Sequence, residues 1–128
     1  LACGDENIFI FGLTSEEVLR YNKLGGYNVW EEYQKNESLQ RIIEYFNKHC
    51  FEPGSNEFHD IYNSLLNRND EYFVLKDFDS YVYTQNQISE KYKNKNRWSK
   101  MMINNIAKSF YFSSDRTIDE YARGIWGL

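Results

Sequence analysis

Asn7-Ile8-Phe9-Ile10-Phe11-Gly12 is a short, unbroken apolar run closed by glycine, and nothing like it recurs along the chain. Its β-branched and aromatic residues do not alternate with polar ones. That pattern predicts a strand over 7–12 buried on both faces, the kind found in parallel sheets. A strand of this type needs neighbours, and no other segment supplies them. The run therefore predicts a strand together with missing partners for it.

Downstream, apolar residues recur at helical spacing. Thr14 and Glu17 stand at capping-box distance ahead of Val18, Leu19 and Tyr21, and Gly25-Gly26 stops the segment. Asn28 to Tyr33 predicts one or two further turns. Leu39, Ile42, Ile43 and Phe46 form a stripe that ends before Pro53-Gly54, and Phe58, Ile61, Tyr62, Leu65 and Leu66 repeat it up to Asn69-Asp70. Tyr72 to Leu75 is short enough to be extended or the start of a turn. Tyr81, Gln85, Ile88 and Tyr92 share one face. An Asn/Lys-rich break at 93–96 precedes Trp98, Met102, Ile103 and Ile106, and a last helix runs from Ser114 to Trp126. One proline and seven glycines leave few breaks. The expected class is mainly α with one short β-strand. The segment 1–128 is expected to be a single piece, without linker, repeat or low-complexity tract.

Charge and composition narrow the function. The net charge is −4, with basic residues scattered among acids, which argues against a nucleic-acid partner. No apolar run approaches the ~18 residues of a membrane span, and the mean hydropathy is −0.74. Aromatics at 18% exceed what a disordered chain carries, and most are expected in the core. Cys3, Cys50, His49 and His59 lack metal-ligand spacing, so no metal site is expected. No signal peptide is evident, and a cytoplasmic, reducing setting is the default expectation. The first residue is Leu1, which leads to the expectation of a processed or excised chain.

Candidate chemistry is thin. Ser113, Ser114, Asp115 and Arg116 at the start of the last helix could offer amides and a cation to an anion. The plainer expectation is that Ser114 or Asp115 is the N-cap, and Asp115, Asp119 and Glu120 oppose an anion. The acid pairs Glu16/Glu17, Glu31/Glu32 and Asp77/Asp79 are sequence neighbours, expected on solvated faces rather than across a hydrolytic cleft. No phosphate-cradling glycine loop, nucleophile–base order or activated cysteine is present. No catalytic residue is expected within the chain.

Two blocks carry more information. Gly4-Asp5-Glu6-Asn7-Ile8-Phe9-Ile10-Phe11-Gly12 resembles the GEENxFIFG segment of the glycogen (α-glucan) phosphorylases. Phe112-Ser113-Ser114-Asp115-Arg116-Thr117-Ile118, with Glu120-Tyr121-Ala122 and Ile125-Trp126-Gly127, is similar to that family's KFSSDRTIxEYAxxIWG signature. Gly26-Tyr27-Asn28, Tyr72 to Leu75, Asp77 to Tyr81, Trp98 to Met101 and Asn105 to Ala107 stand between them in matching order. Phe110-Tyr111 departs from the usual Gly-Lys. Phe11, Gly12, Ser113, Ser114, Asp115, Arg116, Tyr121 and Trp126 are the signature positions, with structural roles implied.

The resemblance implies a glycosyltransferase with paired Rossmann-like lobes that transfers a glucosyl unit of an α-1,4-glucan to phosphate, giving glucose 1-phosphate. It implies pyridoxal phosphate on a lysine of a GTxNMKxxLNG-like segment, followed by a GANVEI-like stretch. Neither pattern occurs in this sequence, so no cofactor, glucan or phosphate residue can be carried over. The chain is then expected to be the truncated C-terminal part of the second lobe, inactive alone and lacking bound cofactor. Residues 7–12 would be its last strand and the helix near 114–126 would cross to the other lobe. Its implied partner is the remainder of the phosphorylase chain, with self-association through the uncovered lobe face as the alternative.

Overall fold

A computed structural model describes residues 3–47 and 57–128. Seven α-helices are formed among them: α1 (Ser15–Leu24), α2 (Val29–Lys35), α3 (Glu37–Asn47), α4 (Glu57–Tyr62), α5 (Val74–Lys93), α6 (Lys95–Lys108) and α7 (Ser114–Tyr121). Wide π turns extend α4 over Asn63–Asn67 and α7 over Ala122–Trp126. The chain divides into two compact units, one of residues 11–83 and the other of residues 1–10 with 84–128, and the boundary falls inside α5.

The first unit is built by local capping and one small core. Thr14 and Glu17 close a reciprocal capping box on α1, which ends at Gly25. Asn28 caps α2, its side-chain oxygen accepting from the Trp30 N–H. Asn36 ends α2 and starts α3, accepting from the N–H groups of Ser38 and Leu39 at 3.0 and 3.1 Å. One polar side chain thus bends the chain between two helices. Val29, Leu39, Ile43, Leu66 and Leu75 form the buried centre, with Tyr27, Tyr33, Phe46, Tyr62, Leu65 and Phe78 packed around it.

The link from α4 to α5 is a polar knot. Asn69, Asp70 and Phe73 all have positive φ, at 58°, 45° and 59°. Asn and Asp tolerate that region because their side chains bond locally. Here Asn69 accepts from the Val29 N–H at 2.9 Å and donates to the Tyr27 carbonyl. Asp70 is only 2% exposed, and its carboxylate accepts from the Leu75 N–H at 2.7 Å and the Tyr27 hydroxyl at 2.9 Å. Phe73 is a strained position for a bulky residue. Its ring is buried, 5.4 Å from Tyr21 and 4.8 Å from Tyr27, which offsets the strain.

In the second unit, Asp5–Asn7 forms a 3-10 turn. Asn7 is buried, donating to the Cys3 carbonyl at 2.8 Å and accepting from Asn104, while its own carbonyl accepts from Asn105 at 2.9 Å. Phe9 stacks on Trp98, whose edge meets Tyr92. Asn94 alone breaks α5 from α6 and caps the latter, narrower than the expected break at 93–96.

The expected strand over 7–12 is not formed. Asn7 belongs to the 3-10 turn, and Ile8 is extended at φ −132°, ψ 155°, with no ladder partner for residues 8–11 among the described residues. A strand exists only as part of a ladder; here Ile8, Ile10 and Phe11 are exposed, while Phe9 is half-buried against Trp98. The expectation that most aromatics are core also fails, since Trp30, Tyr72, Tyr83, Phe110, Phe112 and Trp126 are exposed. Helical spacing marks which face is apolar, and among the described residues nothing covers much of those faces.

Candidate functional site

The first signature block is held by a side-chain latch. Gly12 has φ +84°, and its N–H donates to Ser80 Oγ at 3.1 Å. The next N–H, of Leu13, donates to Asp77 Oδ1 at 2.8 Å. A Cβ on Gly12 would lie 2.4 Å from Asp77 Oδ2, so glycine is required both by conformation and by space. Phe11 sets its ring edge-on to Tyr81 at 5.2 Å. Asp77 and Ser80 sit one turn apart on α5, and this helix face grips the end of the extended segment.

The second block is a capped helix start. Ser113, rather than Ser114 or Asp115, is the N-cap of α7, its Oγ accepting from the Arg116 N–H at 3.3 Å. Its carbonyl accepts from Thr117. Ser114 and Asp115 are exposed in the first turn, where Asp115 complements the helix dipole. The Arg116 guanidinium donates to the Tyr111 carbonyl and to the Glu120 carboxylate, and lies 3.9 Å from the Tyr111 ring centroid. A cation so engaged ties the turn before α7 to the helix, which leaves little of it for an anion. Tyr121 meets Trp126 edge to face, and Trp126 is 58% exposed.

The acid pairs divide. Glu16 and Glu31 are exposed as expected. Glu32, Asp77 and Asp79 have work that sequence spacing did not show, whereas Glu17 closes the expected capping box. The Glu17 carboxyl is held below its ordinary range, first by the Thr14 N–H and then by the Thr14 hydroxyl. Glu32 pairs with Lys76 at 2.8 Å, and that hydrogen bond raises the lysine. Asp79 accepts from the Asn36 side chain at 2.7 Å. The bonds of Glu32, Asp77 and Asp79 fasten segments distant in sequence.

The remaining candidates can be placed briefly. His59 stacks on Tyr62, and Cys3 is partly exposed. His49 and Cys50 lie outside the described residues. Among the described residues no three His, Cys, Asp or Glu side chains converge as a metal set. Pyridoxal phosphate would need a lysine amine able to shed its proton, beside donors for a phosphate. Lys76 is instead held as an ammonium by Glu32, Lys91 lies over the Phe9 ring, Lys95 over the Tyr92 ring, and Lys93 pairs with Glu90. These four lysines are thus engaged within the chain. Likewise, among the described residues no helix is long and apolar enough to cross a membrane.

Among the described residues, the signature blocks thus form capped helices, side-chain latches and exposed apolar side chains. Comparison with known proteins agrees with the sequence blocks. The family model described as carbohydrate phosphorylase matches residues 2–128, and the chain belongs to that family. Glycogen phosphorylase of Bacillus subtilis (strain 168) is 47% identical over 125 residues, covering 98% of this chain and 16% of the relative. The muscle form of glycogen phosphorylase from Mus musculus is 44% identical over 126 residues, covering 98% and 15%. The Synechocystis glycogen phosphorylase is 43% identical over 126 residues, again with 98% and 15% covered. The chain thus spans 15–16% of the length of these relatives.

Proposed function

We propose that this chain is the C-terminal structural part of a glycogen or α-glucan phosphorylase, a cytoplasmic enzyme that releases glucose 1-phosphate from α-1,4-glucan with the help of pyridoxal phosphate. The observation that carries this reading is a family match along nearly the whole chain to relatives about six times longer. The role of the segment is to complete the second lobe of the parent. Residues 8–11 supply a strand to a sheet whose other strands lie elsewhere in the polypeptide. The latch of Asp77 and Ser80 on Leu13 and Gly12 fixes how that strand leaves the helical layer. Helix α7, with its π extension to Trp126, crosses to the other lobe and carries Ile118, Tyr121, Ile125 and Trp126 into contact there.

Glucan, phosphate and cofactor reach the chain only through the parent. The 128 residues alone are therefore inactive. Glucose 1-phosphate release from glycogen tests this directly: the full-length enzyme containing this segment produces it and the isolated chain does not. Incubation of the isolated chain with pyridoxal phosphate and borohydride should leave no lysine stoichiometrically labelled. A stable one-to-one adduct would overturn the reading.

The exposure of Ile10, Phe11, Ile103, Ile106, Phe110 and Phe112 favours a second behaviour when the parent is missing, self-association through uncovered apolar faces. Sedimentation of the isolated chain as a monomer at high concentration would count against it.

A further inference from the structure

One apolar groove of the first unit has a definite shape. Phe11, Tyr72, Val74, Phe78 and Tyr81 line a space of about 370 Å³, with Asp77 at its side. Val74, Phe78 and Tyr81 fall at i, i+4 and i+7 on α5 and so share a face. Phe11 is pinned by its edge contact to Tyr81 and by the latch on Gly12 and Leu13. Phe11 and the α5 face are thus held in place. Tyr72 is 77% exposed, Val74 54% and Phe11 48%, which gathers more large apolar surface in one place than water favours.

We infer that this groove seats apolar side chains from the remainder of the phosphorylase polypeptide, outside these 128 residues. The inference rests on the structural role proposed above and names the surface through which that role is exercised. Three observations select this occupant. The lining is mainly apolar, its polar groups being the Asp77 carboxylate, which is committed to the Leu13 N–H, and the hydroxyls of Tyr72 and Tyr81, so few polar groups are present to orient a small ligand. A concave surface set against its own copy across a two-fold axis opposes groove to groove and leaves a void, which disfavours a second copy. Finally, the chain matches over 98% of its length yet covers 16% of its relative, so most of the polypeptide able to fill the groove lies elsewhere.

The test uses the full-length phosphorylase that contains this segment, with Tyr72 replaced by the photo-crosslinker p-benzoylphenylalanine. Irradiation should give a species of single-polypeptide mass whose cross-linked peptide lies outside the 128 residues. A cross-link joining two copies, or confined to the 128 residues, overturns the inference. Hydroxyl-radical footprinting of the unaltered enzyme decides the matter if the substituted enzyme does not fold or does not cross-link. Tyr72 and Tyr81 should then label about tenfold more slowly than in the unfolded chain, and labelling at the unfolded rate overturns the inference. Glucose 1-phosphate formation is measured separately on the unaltered enzyme. An inactive enzyme with a protected groove rejects the phosphorylase reading, and an active enzyme with a solvent-open groove rejects the docking surface alone.

Discussion

At Gly12 two constraints coincide, a left-handed backbone and a carboxylate where a side chain would begin. Gly12→Ala should therefore cost about 1–3 kcal/mol, since the left-handed strain adds to displacement of Asp77 from the Leu13 N–H; urea denaturation of the two proteins would show it, and equal midpoints would refute the latch. Tyr27 gives a pH-dependent counterpart. Burial first, then the hydrogen bond to Asp70, raises its hydroxyl above the ordinary 10.0 in the folded chain. The unfolded chain gives up that proton near its ordinary value while the fold retains it. Stability present below that point is lost as pH rises beyond it, and Lys76, raised from 10.5 by its hydrogen bond to Glu32, acts in the same direction. Tyr27→Phe should flatten this alkaline loss. At neutral pH it should cost about 1–3 kcal/mol, because the buried Asp70 carboxylate loses one of its donors. Unfolding midpoints across neutral and alkaline buffers would check both parts.

Helix ends show what sequence could and could not disclose. The box of Thr14 and Glu17 was legible because its partners are three residues apart and their chemistry is local. The cap of α7 is Ser113 and not the expected Ser114 or Asp115, since all three are good caps and only the backbone angles choose among them. The fastenings of Asp77 to Leu13, Asp79 to Asn36 and Asp70 to Tyr27 join residues 64, 43 and 43 positions apart, and no periodicity marks them. The resemblance marked Phe11 and Gly12 as signature positions without showing what holds them. Asn36→Ala should destabilise more than Ser113→Ala. The first loses the start of α3 and the bond to Asp79, whereas the second loses one cap worth about 1 kcal/mol. Urea midpoints of both variants in the isolated chain would rank them.

For the molecule as a whole, the sequence disclosed helices and family but overstated burial, because a stripe of Ile, Tyr and Trp says which face is apolar and not whether its cover is present. Trp126 makes the point measurable. It is 58% exposed, so Trp126→Ala should change the stability of the isolated chain by about 1 kcal/mol at most, whereas a buried Trp in the full-length enzyme would cost about 3–5 kcal/mol. Thermal unfolding of both forms tests the contrast, and equal losses would remove the case for docking of the last helix. The π turn at Asn63–Asn67 has a consequence of another kind. Its i→i+5 bond, from the Arg68 N–H to the Asn63 carbonyl at 2.9 Å, accommodates one residue more than an α turn would. Deleting a single residue there would let the helix close in ordinary phase and rotate the residues after it by about 100° relative to α4. Asn69 and Asp70 would then point away from Tyr27 and Val29. The surplus residue acts as an angular spacer, and the fold of this unit is set as much by a count of residues as by their kinds.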